Sequence, residues 1–195
     1  MHVKNWLPIL FIGCGLFCVA YGGWKLWSMH SAQNEALKEA HQLVGAEGLK
    51  KKERSEVVPS DFQPKMDEVI GILHIPKLKA QLPIVEGTDE DELEKGVGHY
   101  RGTAFSGQND QIVLSGHRDT VFRNVGDLKI GDELIVEMEY GRFTYLIQET
   151  EIVDADDRTV IRSTAPNEVL TLTTCYPFGY IGNAPQRYII YAVPA

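Results

Sequence analysis

One thiol dominates the chemical reading of this sequence. Cys175 is the only cysteine beyond residue 18. It ends the run Val169-Leu170-Thr171-Leu172-Thr173-Thr174 and precedes Tyr176-Pro177-Phe178-Gly179, which cannot continue a strand ladder. The sulfur therefore stands where a core strand opens into a loop, a rigid mount for a nucleophile. A small apolar core residue, the commoner fate of a lone cysteine, accounts for the position equally well. A nucleophilic cysteine needs an activator, because a free thiol is mostly protonated near neutral pH. The chain has six histidines. His2 is terminal, and His30 and His41 lie in a polar segment before the folded part. His74, inside a strand pattern, reads as a structural or surface residue. His99 follows Gly96-Val97-Gly98 and reads as a loop residue or a substrate contact. His117 follows Ile112-Val113-Leu114-Ser115-Gly116, a strand end after a small-residue turn, as Cys175 also ends a strand. Two strand ends of one barrel can converge on one rim. Arg187 opens Arg187-Tyr188-Ile189-Ile190-Tyr191. A guanidinium fixed there can steady a thiolate or stabilise an oxyanion. On spacing alone, an ordinary surface arginine with a carboxylate partner is the commoner case.

Metal chemistry finds less support. His117-x-Asp119 offers two ligand types two residues apart, without a further His or Cys to complete a zinc site. Asp154-Asp156-Asp157 and Asp89-Glu90-Asp91-Glu92 could attract calcium but lack the spaced loop of an EF-hand, and solvated acidic turns are the default. No metal or cofactor is expected.

The elements that must position these side chains are strands. From about Asp67 the expected strands are Val69–Ile75, Leu82–Val85, Gln111–Leu114, Leu134–Met138, Phe143–Ile147, Thr150–Val153, Val169–Thr174 and Tyr188–Val193. Tyr140-Gly141-Arg142 signals a hairpin, and Asp89 to Lys95 a short helix capped by Thr88 or Asp89. High β-branched and aromatic content without long helical periodicity predicts an antiparallel-rich barrel or sandwich of about 130 residues.

Before the strands lies a different composition. Asn5 to Trp24 is uncharged, long enough as a helix to cross a bilayer, with Trp6 at one end and Tyr21, Trp24 and Trp27 at the other. A cleaved signal peptide lacks a convincing cleavage site here, and Phe11-Ile12-Gly13-Cys14 resembles a lipid-modified cysteine site only loosely. Residues 1–27 are therefore expected to be a short cytoplasmic end and an anchor. Residues 28–66 are expected to be a stalk and linker, weakly helical over Ser28–Val44 and then rich in Gly, Pro and Lys, including Lys50-Lys51-Lys52. Residues 67–195 are the expected domain. All 27 acidic residues lie beyond residue 27, against 17 Lys and Arg, a net of −10. Such a surface repels phosphate backbones, so nucleic acid is not an expected partner.

Leu172-Thr173-Thr174-Cys175, followed by Arg187 in Ala184-Pro185-Gln186-Arg187-Tyr188, resembles the signature of the sortases. Ser115-Gly116-His117-Arg118 resembles the segment carrying their catalytic histidine, and Gly71-Ile72-Leu73-His74-Ile75-Pro76 and Leu82-Pro83-Ile84-Val85-Glu86-Gly87 extend the likeness. Cys175-Tyr176-Pro177-Phe178 and the anchor are most similar to class D members from Gram-positive bacteria. The resemblance implies an all-β fold, the eight-stranded sortase-type barrel with short helices, preceded by a single transmembrane helix with its N-terminus inside and the barrel outside. It implies a cysteine transpeptidase with Cys175, His117 and Arg187 as its catalytic group. Thr174, Tyr176 and His99 are the candidate substrate contacts. The implied substrates are surface proteins bearing a Leu-Pro-x-Thr-x sorting signal, and a cell-wall peptidoglycan amine that resolves a thioester. A membrane-tethered cysteine hydrolase and a non-catalytic β-barrel binding module are the alternatives.

Overall fold

Apolar runs beyond residue 68 form eight strands, because β-branched and aliphatic side chains pack well on a pleated, half-buried surface. In chain order these are β1 (Val69–Ile75), β2 (Ala80–Glu86), β3 (Val97–His99), β4 (Gln111–Ser115), β5 (Glu133–Met138), β6 (Gly141–Asp154), β7 (Val169–Tyr176) and β8 (Gln186–Pro194). A helix α1 (Trp6–Gly48) precedes them, and a short helix α2 (Glu90–Lys95) joins β2 to β3. The computed structural model describes residues 6–48, 58, 59, 62–180 and 182–195. Lys50-Lys51-Lys52 of the expected linker lies outside the described residues.

The strands close into a barrel in the order β1-β2-β3-β4-β7-β8-β6-β5, with β5 pairing back onto β1. β2 with β3 and β4 with β7 are parallel, and all other neighbours are antiparallel. This is the expected eight-stranded barrel. Leu73, Ile84, Leu114, Leu134, Tyr145, Ile147, Leu170 and Leu172 are among the side chains that fill it. His74 links β1 to β5 through Glu137, at 2.7 Å.

Two details depart from the sequence reading. The expected strands Phe143–Ile147 and Thr150–Val153 are one strand, β6. A register shift between Ile147 and Glu149 breaks its alternation, and Gln148 to Ile152 are all exposed. A pattern-breaking bulge reads as a gap in the sequence. Strand β3, expected as a loop, is only three residues long. Its Gly98 allows close backbone approach, since a Cβ there would lie 2.3 Å from the carbonyl oxygen of Gly87.

The anchor segment and the weakly helical segment after it form one continuous helix. Pro8 is tolerated near its start, where amide groups lack intrahelical partners. From Ile9 to Trp27 its large apolar side chains are exposed, and it is long and apolar enough to cross a membrane. Further along, Ala36 and Ala40 are buried against Val69, Ile72 and Val85 on the outer face of β1 and β2. Their spacing of four residues and small size let the helix backbone approach the sheet closely. Lys25 pairs with Glu94 of α2.

Tyr145 is fully buried, and its hydroxyl donates to Glu168 Oε1 at 2.6 Å; Glu168 Oε2 accepts the N–H groups of Gly107 and Asn109. Burial, reinforced by the bond to Glu168, holds the Tyr145 phenol well above the ordinary tyrosine range, and burial does the same for Tyr140. The unfolded chain therefore releases protons near pH 10 that the folded barrel retains. Unfolding free energy should fall as pH rises above about 10, by up to ~1.4 kcal/mol per pH unit for each such tyrosine. Tyr145→Phe should make that slope shallower in denaturant titrations across this range.

Candidate active site

The site is assembled by strand register. Cys175 on β7 stands opposite Arg187 on β8 as a directly paired residue. On its other side β7 runs parallel to β4, with Thr173 paired to Ser115. Two bonds extend this pairing past the end of β4. Gly116 N–H donates to the Thr173 carbonyl at 3.1 Å, and the buried Thr174 hydroxyl donates to the Gly116 carbonyl at 2.7 Å. The backbone that leads into His117 is thereby fastened to the backbone that leads into Cys175.

The chain then turns sharply. The His117 carbonyl accepts the amide of Phe122 at 3.0 Å, and Phe122 is fully buried. A Cβ on Gly116 would lie 2.6 Å from the Phe122 ring, so only glycine leaves room for this turn. His117, Cys175 and Arg187 consequently line one cavity of about 290 Å³, together with Arg118, Asp119, Gly182, Asn183 and Ala184. Cys175 is part-exposed, not sealed in the core.

Arg187 Nη1 donates to the Ala184 and Gln186 carbonyls at 3.3 and 3.0 Å. Among the described residues no carboxylate pairs with it. Its positive charge is thus held by neutral backbone oxygens beside the sulfur and stays available to a developing negative charge. Arg118 brings a second guanidinium. Its Nη2 donates to the Tyr180 and Gly182 carbonyls at 2.7 and 2.9 Å, clamping the β7–β8 loop to the His117 segment. Sequence reasoning gave Arg118 no role; its place directly after His117 was the available signal.

The other expected contacts are placed differently. Thr174 does not line the cavity, because it faces the other side of the sheet from Cys175; its hydroxyl donates to the carbonyl of Gly116, the residue before His117. Tyr176 lines a separate recess of about 430 Å³ with Phe178, Tyr188 and Ile152, on the sheet face opposite Cys175 and Arg187, since successive residues of a strand face opposite ways. There Tyr176 stacks on Tyr188, and Phe178 packs edge-on against both. His99 is 1 % exposed, stacked on Phe105, with Nδ1 2.6 Å from Glu86 and Nε2 3.0 Å from the Ala104 carbonyl. Both its nitrogens are engaged inside the barrel wall, away from the cavity. Beyond Thr150 the chain continues as strand as far as Asp154. Asp157 accepts from its neighbour Thr159, and among the described residues no three His, Cys, Asp or Glu side chains gather as a metal ion would need.

A thiol, an imidazole and an uncompensated guanidinium on one barrel rim form the arrangement of an acyl-transfer enzyme. Residues 73–195 match the family described as Sortase domain. This chain belongs to the sortase family. It is 49% identical to Sortase D of Bacillus subtilis over 193 residues, covering 97% of this chain and 98% of that protein. Among solved structures it is similar to a Clostridium perfringens Sortase D5 transpeptidase, with TM-score 0.68 and 26% identity over 85% of this chain and 99% of that one. It also shares the fold of a Clostridium perfringens sortase C solved with the C-terminal cell wall sorting motif, with TM-score 0.63 and 24% identity over 85% and 88% of the two chains. The chain is thus a sortase transpeptidase.

The tie between Thr174 and Gly116 can be tested in this sortase. Thr174→Val leaves a buried carbonyl without its donor and should cost about 1–3 kcal/mol of stability. Turnover should fall through kcat more than through KM, and Thr174→Ser should restore both. A valine variant with unchanged stability and kcat would show that the bond does not position His117.

Proposed function

We propose that this sortase cleaves a Leu-Pro-x-Thr-x sorting signal after the threonine and joins the threonine carboxyl to a cell-wall peptide amine. The observation that carries the reading is the shared cavity: three side chains distant in sequence border the same space, and among the described residues Arg187 has no carboxylate partner. The Cys175 thiolate forms a bond to the threonine carbonyl carbon. The oxyanion that develops is stabilised by the Arg187 guanidinium. The carbon–nitrogen bond breaks as His117, in its imidazolium form, gives its proton to the leaving amine. A thioester remains on Cys175. An acceptor amine then attacks the same carbon and gives its proton to His117. The carbon–sulfur bond breaks, and the thiolate returns. These steps draw only on protein groups.

A thioester suits the exchange because it keeps acyl reactivity while a second substrate arrives. An amine competes with water for it because amines are the stronger nucleophiles at a carbonyl. The acceptor is taken to be an amine of peptidoglycan or its precursor. The barrel is proposed to face outward, with the N-terminus inside. The resemblance to the sortases supports this orientation; Lys4 and the amino terminus precede the apolar run, and Lys25 follows it.

Amine exchange on a sorting-signal peptide tests the scheme. Cys175→Ala should abolish both cleavage and transfer. His117→Ala should lower turnover by about 10²–10⁴, the usual worth of general acid–base help, and Arg187→Ala by about 10²–10³, that of an oxyanion donor. Product mass should shift to the amide when amine is added. Purely hydrolysed product at saturating amine, or turnover retained by Cys175→Ala, would contradict the proposal.

A further inference from the structure

The strand directions place the catalytic residues at one particular end of the barrel. Ile75, at the end of β1, pairs with Ala80 at the start of β2, and β5 begins at the same end, since His74 pairs with Ile135. β3 is parallel to β2 and antiparallel to β4, so β4 finishes at that end with Ser115. β7, parallel to β4, brings Cys175 there, and β8 starts from there with Gln186 and Arg187. The turns Pro76–Leu78 and 129–132 belong to the same rim.

This is also the rim beside the apolar half of α1. Ala36 and Ala40 pack near the opposite end of β1, against Val69 and Val85. The preceding turns, Leu26, Met29, His30 and Gln33, border a cavity of about 410 Å³ with Leu78, Ala80 and the segment Asp119 to Asn124 that follows His117. The uncharged run ends at Trp24. At about 1.5 Å per residue, these helix positions lie roughly 3–14 Å beyond it along the axis. The helix is unbroken between the run and its buried contacts, and Lys25 pairs with Glu94 within one residue of the run. The barrel cannot swing freely about the span.

The rim carries one further feature. Ile130 is 70 % exposed, in a turn closed by Gly131 at φ 88°. Lys129 precedes it, and the neighbouring turn bears Lys77 and Lys79, with Lys77 3.6 Å from Asp132. Asp132 and Glu133 temper this local charge. An exposed aliphatic tip beside lysines suits the boundary of lipid headgroups and acyl chains.

We propose that α1 docks the barrel with its catalytic rim turned toward the bilayer, the 129–131 turn touching the lipid headgroups. The enzyme then acts on peptide bonds and amines held close to the membrane surface, and barrel orientation itself selects for membrane-attached partners. This rests on reading the apolar half of α1 as a membrane span.

The full chain carrying Cys14→Ala, Cys18→Ala and Cys175→Ala, with Ile130→Cys or Gln108→Cys added, is labelled with an environment-sensitive fluorophore and inserted into mixed phosphatidylcholine and phosphatidylglycerol vesicles. Gln108 is exposed in the loop leading into β4, at the far rim. Quenching by nitroxide-bearing lipids should be several-fold stronger at residue 130 than at residue 108. Equal quenching, or stronger quenching at 108, in chains that float with the vesicles overturns the orientation while leaving the span intact. Chains that fail to float overturn the span and the orientation together. A flexible Gly-Ser insertion between Trp24 and Lys25 in the otherwise unmodified enzyme supplies a second readout. It should lower turnover of a vesicle-embedded sorting-signal protein several-fold and leave turnover of the soluble peptide unchanged. Equal turnover of the embedded substrate would also overturn the proposal.

Discussion

The site depends on the hydrogen-bond register between β7 and its two neighbours. A backbone ladder fixes side chains to within tenths of an ångström, whereas loops do not. One neighbour, β8, sets Arg187 opposite Cys175. The other, β4, delivers His117, and the parallel pairing is carried beyond its last residue by Gly116 and Thr174. A slip of one residue in either ladder would turn the sulfur to the other face of the sheet. Barrel closure makes such a slip costly, because every strand is held on both sides. The buried Tyr145–Glu168 bond ties β6 to the loop before β7 and adds a constraint of the same kind.

Electrostatics follow from this frame. The domain is acidic, yet the cavity carries two guanidinium groups, one fastened to backbone carbonyls beside the sulfur and the other clamping the loop. Neither is neutralised by a carboxylate among the described residues. In the proposed scheme, charge left uncompensated in the resting enzyme stabilises the oxyanion that forms, which would favour the transition state over the bound substrate.

Much of this was legible from the residues. Strand ends followed by turn residues marked Cys175 and His117, and most strands announced themselves through β-branched runs. What stayed hidden depended on pairings distant in sequence. Thr174 reads as a neighbour of the nucleophile, and only the β4–β7 ladder shows its hydroxyl spent on Gly116. His99 reads as a loop residue because Gly98 erases any strand pattern, while the fold seals it against Glu86 and Phe105. The docking of α1 rests on Ala36 and Ala40, side chains too small to signal a packed helix face. Gln148, the extra residue at a bulge, divided β6 in the sequence but not in the barrel.

The central claim is that one sulfur on this rim accepts the acyl group. Intact-mass analysis of enzyme mixed with a Leu-Pro-x-Thr-x peptide and quenched in acid, without acceptor amine, tests it directly. The account predicts an adduct equal to the peptide up to its threonine, mapped to Cys175 and discharged when amine is supplied. Steady cleavage with no adduct at any quench time, or an adduct mapped to another residue, would contradict it.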